Sequence, residues 1–208
     1  MLKYQLLRPF SYILIHHPVK RVVDWYIPLS LTAGTLLAIF PFRSSMNVWA
    51  TDGLIASAQG LIQGLPGFYI AALAAVATFG QATLDSIMPA PTPTLTTNFR
   101  GTWVEMKLSR RRFLCLLFAY LTSISIVISL FAYFARALAL PARLNLPTYT
   151  VDSLSFISLS VYLLFTYQLV VITLWGLYYL GDRILQPEPY NPSNQPPIQP
   201  PPSTPPSP

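Results

Sequence analysis

The sequence predicts an all-α, polytopic membrane protein with about four transmembrane helices plus an amphipathic interfacial helix. Three observations carry this prediction. Uncharged, mostly apolar runs at Trp25–Phe42, Gly53–Leu84, Phe113–Ala135 and Leu154–Leu180 punctuate the 208 residues, and a hydrocarbon core ~30 Å thick takes roughly 20 such residues per helical crossing. Only 10% of the residues are charged, where a soluble domain carries about 25%. Lys and Arg gather at alternate ends of the runs, which is the pattern that orients a membrane protein.

Residues 1–24 form a basic, partly amphipathic segment, expected to lie on the inner leaflet. Lys3, Arg8, Lys20 and Arg21 alternate there with leucines, and Pro9 and Pro18 break the segment into pieces. The stretch Phe10–Ile15 is too short for the apolar core of a cleaved signal, so the first span is expected to serve as an uncleaved insertion signal. His16 and His17 are the only histidines. With no Cys or further His beside them, they read as a solvated or headgroup-facing pair rather than a metal site.

Span one is expected at 25–42, beginning at Trp25. The second run is too long for one crossing, since 32 helical residues extend ~48 Å. Pro66 offers a break. Leu54, Ile55, Ala58, Leu61, Ile62 and Leu65 fall on one helical stripe, with Ser57, Gln59, Gly60, Gln63 and Gly64 on the other face. This predicts an amphipathic outer helix at 53–65, capped by Thr51 or Asp52, and a crossing at 67–84. A re-entrant helix with its glutamines lining a watery path is the sharper alternative. Gly60, Gly64, Gly67, Ala71 and Ala75 make a small-residue face for close helix packing or self-association.

The loop 85–112 begins with Pro89, Pro91 and Pro93 among threonines, is expected to turn helical near Trp103–Leu108, and ends in Arg110, Arg111 and Arg112. Span three (113–135) carries Cys115, Ala119, Thr122, Ser125, Ser129, Ala132 and Arg136 at helical spacing. Bundle packing with Ser/Thr hydrogen bonds explains that stripe; a hydroxyl-lined conducting oligomer would show it too. Span four (154–180) adds Ser155, Ser158, Tyr162, Thr166, Thr173 and Gly176 on one side, with Gln168 near its middle. The tail 186–208 supplies 11 of the 21 prolines. It reads as an extended, polyproline-like spacer reaching at most ~70 Å.

Orientation follows from the basic residues. Lys3, Arg8, Lys20, Arg21, Arg100, Lys107, Arg110, Arg111, Arg112 and Arg183 fall on one side, against Arg43, Arg136 and Arg143 on the other. The positive-inside rule then places both termini and the 85–112 loop in the cytoplasm, at a bacterial inner membrane. Lys20, Arg21, Arg110, Arg111 and Arg112 are the expected headgroup contacts.

Catalysis finds little support. No H-E-x-x-H, P-loop or Rossmann fingerprint is present, and no usable His accompanies a serine inside the runs. No catalytic, cofactor or metal residues are assigned. None of the seven acidic residues lies in the four runs, which counts against a proton-coupled carrier. Ser109-Arg110-Arg111-Arg112-Phe113-Leu114 imitates a twin-arginine export signal, but basic flanking of a stop-transfer helix accounts for it. The remaining polar residues, Gln59, Gln63, Thr122, Ser125, Ser129 and Gln168, are candidates for a water or ion path.

In small size, four-helix layout and lack of catalytic motifs, the chain resembles the transmembrane effectors of bacterial anti-phage systems, including those encoded with retrons. That resemblance is one of architecture. It implies a toxic, pore-forming or depolarising arm of antiviral defence, acting as a homo-oligomer among membrane lipids. It also implies restraint by a cytoplasmic reverse transcriptase with its RNA–DNA. The net charge of +6 sits at span ends, which points to phospholipid headgroups rather than direct nucleic-acid binding by this chain. A non-conducting scaffold that recruits a soluble partner is the second reading. A phage lysis or exclusion protein is the third.

Overall fold

A computed structural model describes residues 7–42, 53–78, 80, 82–88, 92–99, 102–138 and 148–183. The Pro-rich tail at 186–208, the proposed caps Thr51 and Asp52, and Arg43, Arg100 and Arg143 lie outside the described residues. Helix dominates. A 3-10 turn at Arg8–Tyr12 precedes α1 (Pro18–Arg21), a π-helical turn at Val22–Tyr26, α2 (Ile27–Ile39) and a 3-10 turn at Phe40–Phe42. Then come α3 (Leu54–Thr78), α4 (Ala82–Asp85), strands β1 (Thr94–Phe99) and β2 (Thr102–Lys107), α5 (Arg110–Leu138), α6 (Thr148–Tyr178) and a π-helical turn at Tyr179–Arg183.

Among the described residues, four segments are long and apolar enough to cross a bilayer: Val19–Phe42, Leu54–Thr78, Arg110–Ala135 and Ser153–Gly181. The chain is a multi-pass transmembrane helical bundle. Its third span is the hub, with 50% of its most apolar window buried, against 22% and 17% for the first two. α5 packs on α3 and α6, while α2 packs on α6. Exposed Leu29, Leu37, Ile70, Leu130, Phe131, Ile157 and Leu174 cover the outside; a surface this apolar is suited to lipid.

The expected break at Pro66 is overturned. The sequence pattern predicts separate helices at 53–65 and 67–84, but Leu54–Thr78 is one α-helix with Pro66 inside it. Its 25 residues extend ~37 Å, enough to cross without a second piece. Pro removes one backbone bond, and membrane helices tolerate this because neighbouring groups compensate. The stripe read from the sequence largely faces inward: Ile55 and Ile62 are buried, and Leu54, Ala58 and Leu65 are half-buried against the core. Ile55, Ile62, Tyr69 and Val76 are all buried, at intervals of seven. Sevenfold spacing returns a helical position to nearly the same face, and α3 packs on α5, with the Tyr69 ring 6.4 Å from that of Phe118. Gln59 joins the buried side, whereas Leu61 is 65% exposed.

The helix expected near Trp103–Leu108 is replaced by a β-hairpin. Thr94 pairs with Lys107 and Phe99 with Thr102 in antiparallel register. The Thr-rich first strand and Trp103-Val104 favour extended backbone, and cross-strand pairing outweighs the short helical pattern. The hairpin is tied into the bundle by its backbone. His16 N–H donates to Thr94 O at 3.1 Å, and Leu108 N–H donates to Pro93 O at 3.1 Å. Arg110 N–H donates to Ser86 O at 3.2 Å, so the start of α5 is stitched to the segment that follows α3 and α4.

Candidate functional site

The helix of span one begins earlier than Trp25, and this brings a charge into the bundle. The span Val19–Phe42 includes Lys20 and Asp24, 5% and 3% exposed. Four residues apart, they meet as an ion pair, Lys20 Nζ to Asp24 Oδ2 at 2.6 Å. The expectation that no acidic residue enters a span is therefore corrected. The pair is tolerated because each charge neutralises the other and further donors complete the set.

Those donors come from three elements. Tyr12, fully buried in the N-terminal 3-10 turn, donates its hydroxyl to Asp24 Oδ1 at 3.1 Å. Lys20 Nζ also sits 4.3 Å from the centre of the Tyr12 ring, a cation–π contact. Tyr12 stacks on Tyr120 of α5 with ring centres 5.1 Å apart. Tyr120 donates to Gln168 Oε1 at 3.0 Å, and Gln168 Nε2 donates to the Asp24 carbonyl at 3.0 Å. Burial, helped by the neighbouring Asp24 carboxylate, holds the Tyr12 phenol well above its ordinary pKa. Asp24 lies in the π-helical turn Val22–Tyr26. Such turns widen a helix locally and are frequent at functional sites.

A second polar cluster is held by Gln59. Its Nε2 donates to the Ser129 carbonyl at 3.3 Å, and its Oε1 accepts from Tyr162 at 3.5 Å. Nearby on the same helix, Tyr69 hydroxyl meets Thr173 Oγ1, tying α3 to α6. Thr35 Oγ1 meets Tyr167 hydroxyl at 2.6 Å and ties α2 to α6.

The six candidate path residues are not brought together in one line. Gln59 and Ser129 meet, and Gln168 belongs to the separate Asp24 cluster. Thr122 and Ser125 turn their hydroxyls onto the Phe118 and Thr122 carbonyls of their own helix, at 2.8 and 2.9 Å. Helical Ser and Thr commonly use this back-bond. Gln63 lies on the exposed surface. Gln59, Gln168, Thr122 and Ser125 thus spend polar groups inside the chain, while the Ser129 hydroxyl is buried without a partner.

The small-residue face looks outward as well. Gly60, Gly64, Gly67 and Ala71 are exposed and Ala75 is half-buried. A Cβ built on any of the three glycines meets nothing within 4 Å. Close approach inside the bundle occurs instead at Gly176, where a Cβ would meet Leu117 Cδ2 at 3.0 Å.

The basic residues are more engaged than headgroup anchors. Lys20 is buried against Asp24 rather than facing lipid phosphates. Arg111 grips Asp85 with Nε and Nη2 at 2.7 and 3.0 Å, and its Nη1 reaches the Ala77 carbonyl near the end of α3 at 3.1 Å. Arg112 Nη1 contacts Met106 Sδ at 3.8 Å. Arg110 is half-buried, and Arg21 is exposed. An Arg fork near a helix C-terminus satisfies terminal carbonyls, which explains why Arg111 is drawn inward.

Sequence reasoning missed Tyr12, Asp24, Tyr69 and Tyr120. The Lys20–Asp24 spacing of four and the sevenfold Ile55–Ile62–Tyr69–Val76 repeat were the available signals. Among the described residues no group of three or more His, Cys, Asp or Glu is placed to hold a metal. Comparison with protein-family models, curated proteins and solved structures finds no match to this chain.

Proposed function

We propose that the protein is a non-enzymatic membrane effector whose copies associate through the outward face of α3 and disturb the permeability of the bilayer. The observation that carries this reading is Gln63. It sits exposed on a membrane-spanning helix, flanked by exposed Gly60, Gly64 and Gly67. An amide facing hydrocarbon lacks hydrogen-bond partners, and glycines let a second helix come close enough to supply one. Gln59 and Gln168 are occupied within the chain, so a polar path in an assembly would draw on Gln63. In a bacterial inner membrane with both termini cytoplasmic, such an effector suits abortive anti-phage defence. A restraining cytoplasmic reverse transcriptase complex would act from the side of the hairpin.

Induced expression with a potential-sensitive dye tests the reading. Rapid depolarisation by the parent chain, lost in Gln63→Leu at equal membrane abundance, supports it. Unchanged potential with the parent chain at high abundance refutes it and favours a non-conducting scaffold. One observation speaks for that second reading: Val104, Glu105, Met106 and Lys107 are all exposed on β2, a strand paired on one edge, and such edges accept partner strands.

A further inference from the structure

A pocket of about 230 Å³ opens between the N-terminal segment and the start of span one. That space is well above the ~10–15 Å³ that one water needs, and it admits a phosphodiester group. Its walls are of two kinds. His16, His17, Lys20 and Arg21 supply nitrogen donors, while Ile13, Ile15 and Trp25 supply apolar surface.

The one carboxylate in the lining is already compensated. Asp24 spends one oxygen on Lys20 and the other on Tyr12. Arg21, by contrast, is exposed and makes no ion pair among the described residues. His17 Nδ1 is buried without a hydrogen-bond partner, although buried polar atoms nearly always have one. The pocket is therefore lined by an exposed guanidinium that makes no ion pair among the described residues, by a histidine whose buried Nδ1 has no partner, and by a carboxylate already compensated.

The surroundings select among anions. Leu14, Val19, Val22 and Trp25 are 61%, 51%, 45% and 42% exposed around the same end of span one. A water-soluble anion gains nothing from that collar. A lipid gains twice, through its phosphate in the pocket and its acyl chains along the collar. We propose that this pocket binds the phosphodiester headgroup of an anionic phospholipid, with Arg21 and His17 as its principal donors. The site is independent of whether the protein depolarises the membrane.

The test uses the full chain purified in an uncharged detergent, with thermal unfolding as the readout. Dioctanoyl phosphatidylglycerol, dioctanoyl phosphatidylcholine and inorganic phosphate are titrated separately. The anionic lipid is expected to raise the Tm saturably, with the other two weaker by at least tenfold. Arg21→Ala and His17→Ala should each weaken the anionic lipid by about fivefold, while leaving the lipid-free Tm near that of the parent. Lys20 is spared because its loss strands Asp24. Phosphate binding as tightly as the lipid shows a free-anion site and overturns the assignment. Equal effects of the two lipids, or parent-like lipid affinity in both variants, overturn it too. If either variant fails to fold, Arg21→Gln and His17→Gln carry the same measurement.

Discussion

Lys20 and Asp24 form a buried ion pair at 2.6 Å inside the first span. It fixes where the N-terminal segment attaches, because the same carboxylate receives the Tyr12 hydroxyl. Removing one partner leaves a stranded charge, at a cost of about 3–5 kcal/mol; replacing both by apolar residues is often neutral. Lys20→Met and Asp24→Leu should therefore each destabilise the protein strongly in detergent unfolding. The double variant should recover most of the loss. Additive losses would show that the two side chains do not act as a pair.

Gly176 and Leu117 mark a close approach of α6 to α5, where an added Cβ would lie 3.0 Å from Leu117 Cδ2. Gly176→Val should cost about 1–3 kcal/mol through overpacking, and Leu117→Ala should restore part of it. Gly60→Val, where the space is open, should leave the unfolding midpoint of a single chain nearly unchanged. Equal destabilisation at both glycines would contradict the packing described.

Tyr12 makes stability depend on alkaline pH. Burial and Asp24 raise its pKa in the folded state, so the neutral phenol is favoured there. Its contribution is fully present below the ordinary tyrosine value of about 10, and it is lost as pH rises from there towards the native value. The stability gap between the parent and Tyr12→Phe should be constant to about pH 9 and narrow above about pH 10. Denaturant midpoints at a series of pH values measure it; a gap that widens reverses the sign.

The two glutamines of α3 should behave differently. Gln59→Leu removes bonds to Ser129 and Tyr162, worth about 0.6 kcal/mol apiece in a membrane bundle. A loss of about 1–2 kcal/mol in unfolding is expected. Gln63→Leu should leave single-chain stability unchanged and alter only self-association, measured by crosslinking or energy transfer between labelled copies. A Gln63 variant that unfolds like Gln59→Leu would place Gln63 inside the bundle.

The charge bias predicts orientation. Alkaline-phosphatase fusions after Asn47 and Asn145 should be active, and fusions after Thr97 and Asn191 inactive. The opposite pattern assigns both termini to the outside.

Sequence alone determined the class of this protein, four apolar helices, and the approximate limits of spans three and four. Lipid exclusion of charge acts on every residue of a span independently, so it is visible without knowing any neighbour. The inward stripe of 54–65 was legible in the spacing of its apolar residues, but its exceptions were decided only by the tertiary structure. In a bilayer much of the outer surface of a helix is apolar too, so the contrast between an inner side and an outer side is weak. Burial then follows shape and hydrogen bonding between helices. That is why Gln59 lies inside while Leu61 lies outside, why the Gly60–Gly64 face is left open, and why a lysine read as a headgroup anchor folds back onto Asp24. The continuity of α3 through Pro66 and the Thr94–Lys107 hairpin have the same origin: contacts from distant elements outweighed a local signal.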